Sequence, residues 1–329
     1  MATKGRLIRN VVAAALVASA LSGCSSSVSI PDPALRTCVE VALGLSPGES
    51  VTREEMETLT EFECWNKGVE SIEGLDTAVN LVALELGLND IVDVSPLVGL
   101  EDLTSLGLEG SRIDDPSPLA DLTNLERLNL DVTEIEDLSP LVGLTSLRRL
   151  DLAANGIEDV SPLATLTELT FLYLMGNEIE DVSPLAGLTN LERLGLTGNE
   201  VVDLSPLVGL TNLRDLGLGG NAIEDLSPLA GLTNLTWLHL GFNEIVDVSP
   251  LAGLADLTIL NLGFNAIVDV SPLAGLTNLT WLYLEVNQII DVSPLAALTN
   301  LELLTLWENP VDDLSTLDGL GDVVRGGSG

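Results

Sequence analysis

Residues 169–190 read LTFLYLMGNEIEDVSPLAGLTN, and this 22-residue sentence recurs eleven times between Leu81 and Leu320 with no residue inserted or lost. A fixed period of this size marks a solenoid, in which each unit buries its apolar side against its neighbours. Counted from each repeat's first leucine (Leu81, Leu103 and onward to Leu301), leucines at positions four and six alternate with variable residues at three, five and seven. That is the period of a short strand with one buried face. Stacked units form a parallel sheet along the inside of an arc, on the order of 50 Å long at roughly 4.8 Å per strand.

The remaining columns give the return path. Position nine is Asn in nine of the eleven units, with Ser111 and Thr133 as exceptions. A side-chain amide donates and accepts, so an Asn column satisfies the backbone where each strand turns away. Position eleven is Ile or Val and belongs to the core. Position thirteen is always Asp, fifteen always Ser, and sixteen Pro in all units but the one with Thr316. Ser-Pro reads as a Ser N-cap with Pro at the first helical position, opening one short, 3₁₀-like turn. The Asp column reads as turn capping. A cation shared by adjacent carboxylates is the competing reading, but no unit has the clustered oxygen ligands of a calcium loop.

The run Asn177 to Leu191, N-x-I-x-D-V-S-P-L-A-G-L-T-N-L, resembles the leucine-rich repeats of the bacterial internalin family, and the likeness spans residues 31–320. It implies an α/β solenoid: a right-handed curved arc with its parallel sheet on the concave face and 3₁₀ or helical turns on the convex face. A small helical amino-terminal cap and protein binding by the concave face are also implied. Internalins usually continue into an immunoglobulin-like domain, and many carry a wall-sorting signal. This sequence reaches Gly329 with neither, so the resemblance carries the fold and a binding role, not a host receptor or invasion.

Residues 1–23 read as a lipoprotein signal peptide: Lys4, Arg6 and Arg9, a short apolar run, then Leu21-Ser22-Gly23-Cys24. A plain secretory signal is the alternative. Lipidated Cys24 would hold the protein to a bacterial membrane outside the cytoplasm, with residues 24–30 as tether. Residues 31–80 then form the cap and a partial repeat, 81–320 the repeats and 321–329 a tail. A helix is expected over Pro33–Leu43, capped by Asp32, closed by Gly44, and buried through Leu35, Cys38, Val39 and Ala42. A capping box at Thr52 and Glu55 opens a second helix. Cys38 and Cys64 face the seam between cap and first strand and are expected to form a disulfide, two buried thiols being the alternative. At the other end, either Val323 and Val324 cap the solenoid or a partner covers it.

The formal charge of −37 becomes −40 once Lys4, Arg6 and Arg9 are removed with the leader, which disfavours nucleic acid and anionic headgroups. Positions two, three, five, seven and eight line or border the inner face. Over residues 81–320 they hold ten acids and five of six arginines (Arg127, Arg148, Arg149, Arg193 and Arg214), a nearly balanced surface inside an acidic coat. Every aromatic residue of the repeats lies in these columns: Phe171 and Tyr173, then a block of Trp237, Phe242, Phe264, Trp281, Tyr283 and Trp307 that also includes the single histidine, His239. With Arg127, Arg149 and Arg193 they are the candidate ligand-binding residues, for a protein partner. Glycan capture by the aromatic block is the alternative. No Ser/His/Asp arrangement, phosphate loop or cofactor motif is present, so no enzymatic activity and no cofactor are expected.

Overall fold

A computed structural model describes residues 26–325. The expected signal peptide, Cys24 and the last four residues of the tail lie outside the described residues. Thirteen strands form one parallel sheet in strict chain order. They are β1 (Glu61–Glu63), β2 (Ala83–Glu85), β3 (Ser105–Gly107), β4 (Arg127–Asn129), β5 (Arg149–Asp151), β6 (Phe171–Tyr173), β7 (Arg193–Gly195), β8 (Asp215–Gly217), β9 (Trp237–His239), β10 (Ile259–Asn261), β11 (Trp281–Tyr283), β12 (Leu303–Thr305) and β13 (Val324–Arg325). Each strand of the eleven full repeats is offset from the next by one period, so position three stacks on position three, as in Arg149↔Phe171↔Arg193. A 3₁₀ turn beginning at the repeat's Ser returns the chain, as at Ser183–Gly187.

The core is a set of continuous columns. Position four (Leu84 through Leu304) and position six (Leu86 through Leu306) are almost fully buried. The leucines of the return turn, such as Leu185 and Leu188, are buried from the other side. At position nine, Asn177 Nδ2 donates to the Leu152 and Leu174 carbonyls at 3.0 and 2.9 Å. Its Oδ1 accepts from the Asn155 and Ile157 amides at 3.1 and 3.0 Å. One side chain therefore ties two consecutive turns, because the chain leaves the ladder there with its backbone groups open. The column breaks at Ser111, whose buried hydroxyl has no partner.

The turn is capped differently from the Ser N-cap expected. Asp181 Oδ1 accepts from the Ser183 amide at 2.8 Å, and Ser183 Oγ donates to Asp181 Oδ2 at 2.9 Å. Ser is thus the first residue of the 3₁₀ turn and Asp caps it, since Asp at i accepts from the amide at i+2 as an Asx turn does. In the same way, the amide and hydroxyl of Ser117, Ser139 and Ser183 hold Asp115, Asp137 and Asp181 below the usual carboxylate range.

Helix α1 (Pro33–Leu43) starts at Asp32 and ends at Gly44 in left-handed conformation; α2 (Arg53–Met56) has the capping box of Thr52 and Glu55. Leu35 and Val39 are buried, but Ala42 is exposed and Glu40 takes the inward place, where it accepts from Arg36 Nε and the Gly48 amide at 2.9 Å. Asp32 also joins the cap to the partial repeat, because its Oδ2 accepts from the Glu70 and Ser71 amides. Cys38 and Cys64 form a disulfide with Cα atoms 5.8 Å apart. At the far end a 3₁₀ segment, Ser315–Val323, leads into β13, where Val324 pairs with Leu304 and Arg325 with Thr305. The chain itself therefore closes the last repeat.

Candidate binding face

Positions three, five and seven point away from the leucine core and form the open face of the sheet. Its charges are segregated along the arc. In the middle, Arg149 makes a two-pronged pair with Asp151 (2.7 and 2.9 Å) and lies 5.0 Å from the Tyr173 ring centre. Arg193 pairs with Asp215 at 2.9 Å and lies 5.6 Å from the Phe171 ring centre. These arginines are neutralised and cover aromatic rings, so the middle zone is both apolar and charge-balanced. Arg127 is in no ion pair among the described residues. It sits beside the amino-terminal carboxylates, where burial pushes Glu85 and Asp131 above the usual range, helped by repulsion from Glu109 in both cases.

The seven-residue block at the carboxyl end divides. Trp237 and His239 stack across one strand, with ring centres 5.9 Å apart. Partial burial pushes the His239 imidazole below its ordinary value, which leaves it neutral at pH 7. Phe242 and Phe264 stack at 4.0 Å with planes 10° apart, and Trp307 meets Phe264 edge-on at 5.8 Å. This second group sits on the rim, where the strand turns away. Trp281 and Tyr283 stand on β11 outside both stacks, and Trp281 is 42% exposed.

The rim phenylalanines share a left-handed backbone with their whole column. Position eight has φ +60° at Phe242 and +59° at Phe264; Gly110, Gly176, Gly198 and Gly220 fill it in four repeats, and Leu88, Val132, Ala154, Val286 and Glu308 in the other five. A bulky L-residue is strained there. Phe242 is nevertheless 56% exposed, so its ring gains little burial in return.

Two features escape a sequence reading confined to the inner columns. Trp65, one period before Gly87, extends the face onto the partial repeat and donates from Nε1 to Glu109 Oε1 at 3.2 Å. Val246, Val268 and Ile290 at position twelve form an exposed apolar stripe on the outer side of the rim; their recurrence every 22 residues was the available signal. Among the described residues, no group of three or more His, Cys, Asp and Glu side chains gathers as a metal site.

Two family models match the chain. Leucine Rich repeats (2 copies) covers residues 123–165, 145–187, 167–205, 189–231 and 277–319, and Leucine rich repeat covers 233–289. No curated protein matches it significantly. Among solved structures it is similar to an internalin from Listeria monocytogenes (37% identity, TM-score 0.80, covering 90% of this chain and 94% of that one). It is also similar to internalin C2 of the same species (40% identity, TM-score 0.56, covering 70% and 93%). The plant peptide hormone receptor RGFR1, in complex with RGF2, shares the fold (20% identity, TM-score 0.70, covering 84% and 52%). The continuous leucine columns, the Asn column and the strand-and-3₁₀ unit agree with these matches: the chain belongs to the leucine-rich repeat family, as an internalin-like bacterial member.

Proposed function

We propose that the protein is a non-enzymatic protein-binding module that works through the concave face and its carboxyl-terminal rim. In this reading lipidated Cys24 holds it to a bacterial membrane, outside the cytoplasm. The observation that carries the binding role is the aromatic cluster of the carboxyl-terminal repeats: Phe242, 56% exposed, stacks on the half-buried Phe264, and Trp281 on β11 is 42% exposed. Exposed aromatics on a rigid support are the usual anchors of protein interfaces. The plant receptor solved with its ligand supports the use of this architecture for such contacts.

The test is partner capture by the mature chain, followed by direct titration of each partner identified. A folded Phe242→Gly/Trp281→Ala variant should lose binding, and retention of every partner sinks the reading. For the anchor, labelled fatty acid should enter the wild type and not Cys24→Ala, with release of the variant from the membrane. The exposed ring of Trp281 in the carboxyl-terminal aromatic block supports glycan capture as a second reading, which a glycan array separates from the first.

A further inference from the structure

Between β6 and β9 the open face lacks a side chain at position five on two adjacent rungs. Position five is Gly195 and then Gly217, between Tyr173 on one side and His239 on the other. The result is an open hollow of about 640 Å³, within the roughly 300–1,000 Å³ typical of small-ligand sites. Tyr173 and Met175 form one wall and Trp237 the other. The walls lean inward: a Cβ built on Gly195 would meet Met175 Sδ at 2.5 Å and Tyr173 Cδ1 at 3.2 Å, and one on Gly217 would meet Thr197 Oγ1 at 3.0 Å and Trp237 Cζ3 at 3.5 Å.

Most polar groups on the floor and edge of the hollow are already committed; the Thr197 hydroxyl and the polar ends of Tyr173 and Trp237 are the exceptions. The Gly195 and Gly217 carbonyls accept from the Leu174 and Leu196 amides at 2.8 and 2.7 Å. Thr258 Oγ1 donates to the Thr236 carbonyl at 2.9 Å, and Thr236 Oγ1 to the Arg214 carbonyl at 3.3 Å. Arg193 and Asp215 neutralise each other at the edge. A charged group would find no free counter-ion here, and a sugar would find only the Thr197 hydroxyl and the polar ends of Tyr173 and Trp237 for its many hydroxyls. An apolar group needs none of these partners and gains two aromatic walls.

We propose that this hollow receives one uncharged aromatic or branched aliphatic side chain of a protein partner, a subsite that rests on the protein-binding reading above. The test is an amide shift titration of the mature chain with N-acetyl-tryptophanamide and N-acetyl-leucinamide, against N-acetyl-lysinamide and chitobiose. The first two should give saturable shifts centred on Gly195 and Gly217. Gly217→Leu, which fills the hollow, should weaken them at least about tenfold, a step of 1.4 kcal/mol. Trp237→Ala, which removes a wall, serves the same purpose should the first variant not fold. Equal binding of the lysine amide or the sugar, or shifts centred elsewhere, overturns the proposal. A partner kept by Gly217→Leu but lost on Phe242→Gly sinks the hollow alone. Apolar amides that bind the hollow while no protein partner depends on this face sink the functional reading instead.

Discussion

Replacing both rim phenylalanines, Phe242→Gly/Phe264→Gly, separates a recognition role from a structural one. Left-handed backbone costs an ordinary L-residue about 1–2 kcal/mol, so the double variant recovers about 2–4 kcal/mol. Against this, each glycine costs about 0.5–1 kcal/mol in added unfolded-state freedom. The stacked pair and the edge contact to Trp307 are each worth about 0.5–1.5 kcal/mol. Gain and loss cancel to within about 2 kcal/mol, and a chain of this size moves its Tm by only about 2–4 °C per kcal/mol. Circular-dichroism melts should therefore place the variant within a few degrees of wild type, while partner binding is lost. If the rings were core, each would cost on the scale of about 3–5 kcal/mol for a deleted aromatic. A Tm fall of about 10 °C or more, or unchanged partner affinity, refutes the reasoning.

Restoring the broken column with Ser111→Asn should stabilise by about 0.5–1.5 kcal/mol, one net hydrogen bond; an unchanged or lowered urea midpoint counts against the account of Ser111. Reducing the Cys38–Cys64 bridge, which closes a loop of 26 residues, should cost about 3–4 kcal/mol. Hydrogen exchange should then rise first in residues 31–64, and uniform acceleration along the arc contradicts that. Glu85 has a raised folded pKa because of burial and then repulsion from Glu109 and Glu63. The folded state therefore holds the proton to higher pH than the unfolded chain, and stability falls as pH rises through the window above the ordinary value of 4.5. Glu85→Gln should consequently be more stable than wild type at pH 7, with the difference vanishing below pH 4.5. A gain that persists in acid shows that charge is not its cause.

The leucine columns were legible because each is a packing requirement repeated at a fixed period, and nothing local competes with it. At Asp181 and Ser183 the Asp column caps the turn, as its pattern implies, but Ser183 does not act as an N-cap acceptor. Ser and Asp both accept from nearby amides, and only the observed geometry puts the Asp oxygen on the Ser183 amide. The candidate face was legible as a set of columns but not as a surface. Whether Arg149 and Arg193 reach outward or fold onto Tyr173 and Phe171 is a rotamer choice, and no pattern encodes rotamers. Gly195 and Gly217 were visible as strand positions. The hollow above them depends on how far Met175 and Trp237 lean, which one-dimensional spacing does not contain.

The rim is held by the Asn column, which bears on affinity. Phe242 and Phe264 are each followed by a column Asn. Asn243 Nδ2 donates to the Leu218 and Leu240 carbonyls at 3.0 Å, and Asn265 Nδ2 to those of Leu240 and Leu262, also at 3.0 Å. The backbone that aims each ring is fixed by bonds within its own repeat and to the preceding one, independently of the ring's own contacts. Trp307, which completes the cluster, comes from the last repeat and depends on the closing segment through β13. Binding to such a surface orders few new torsions, so most of the contact energy is retained as affinity instead of offsetting lost freedom. A flexible loop carrying the same three rings would lose part of that energy to ordering. In the proposed binding role, the short crossovers and the Asn column would act through preorganisation, without themselves touching a ligand.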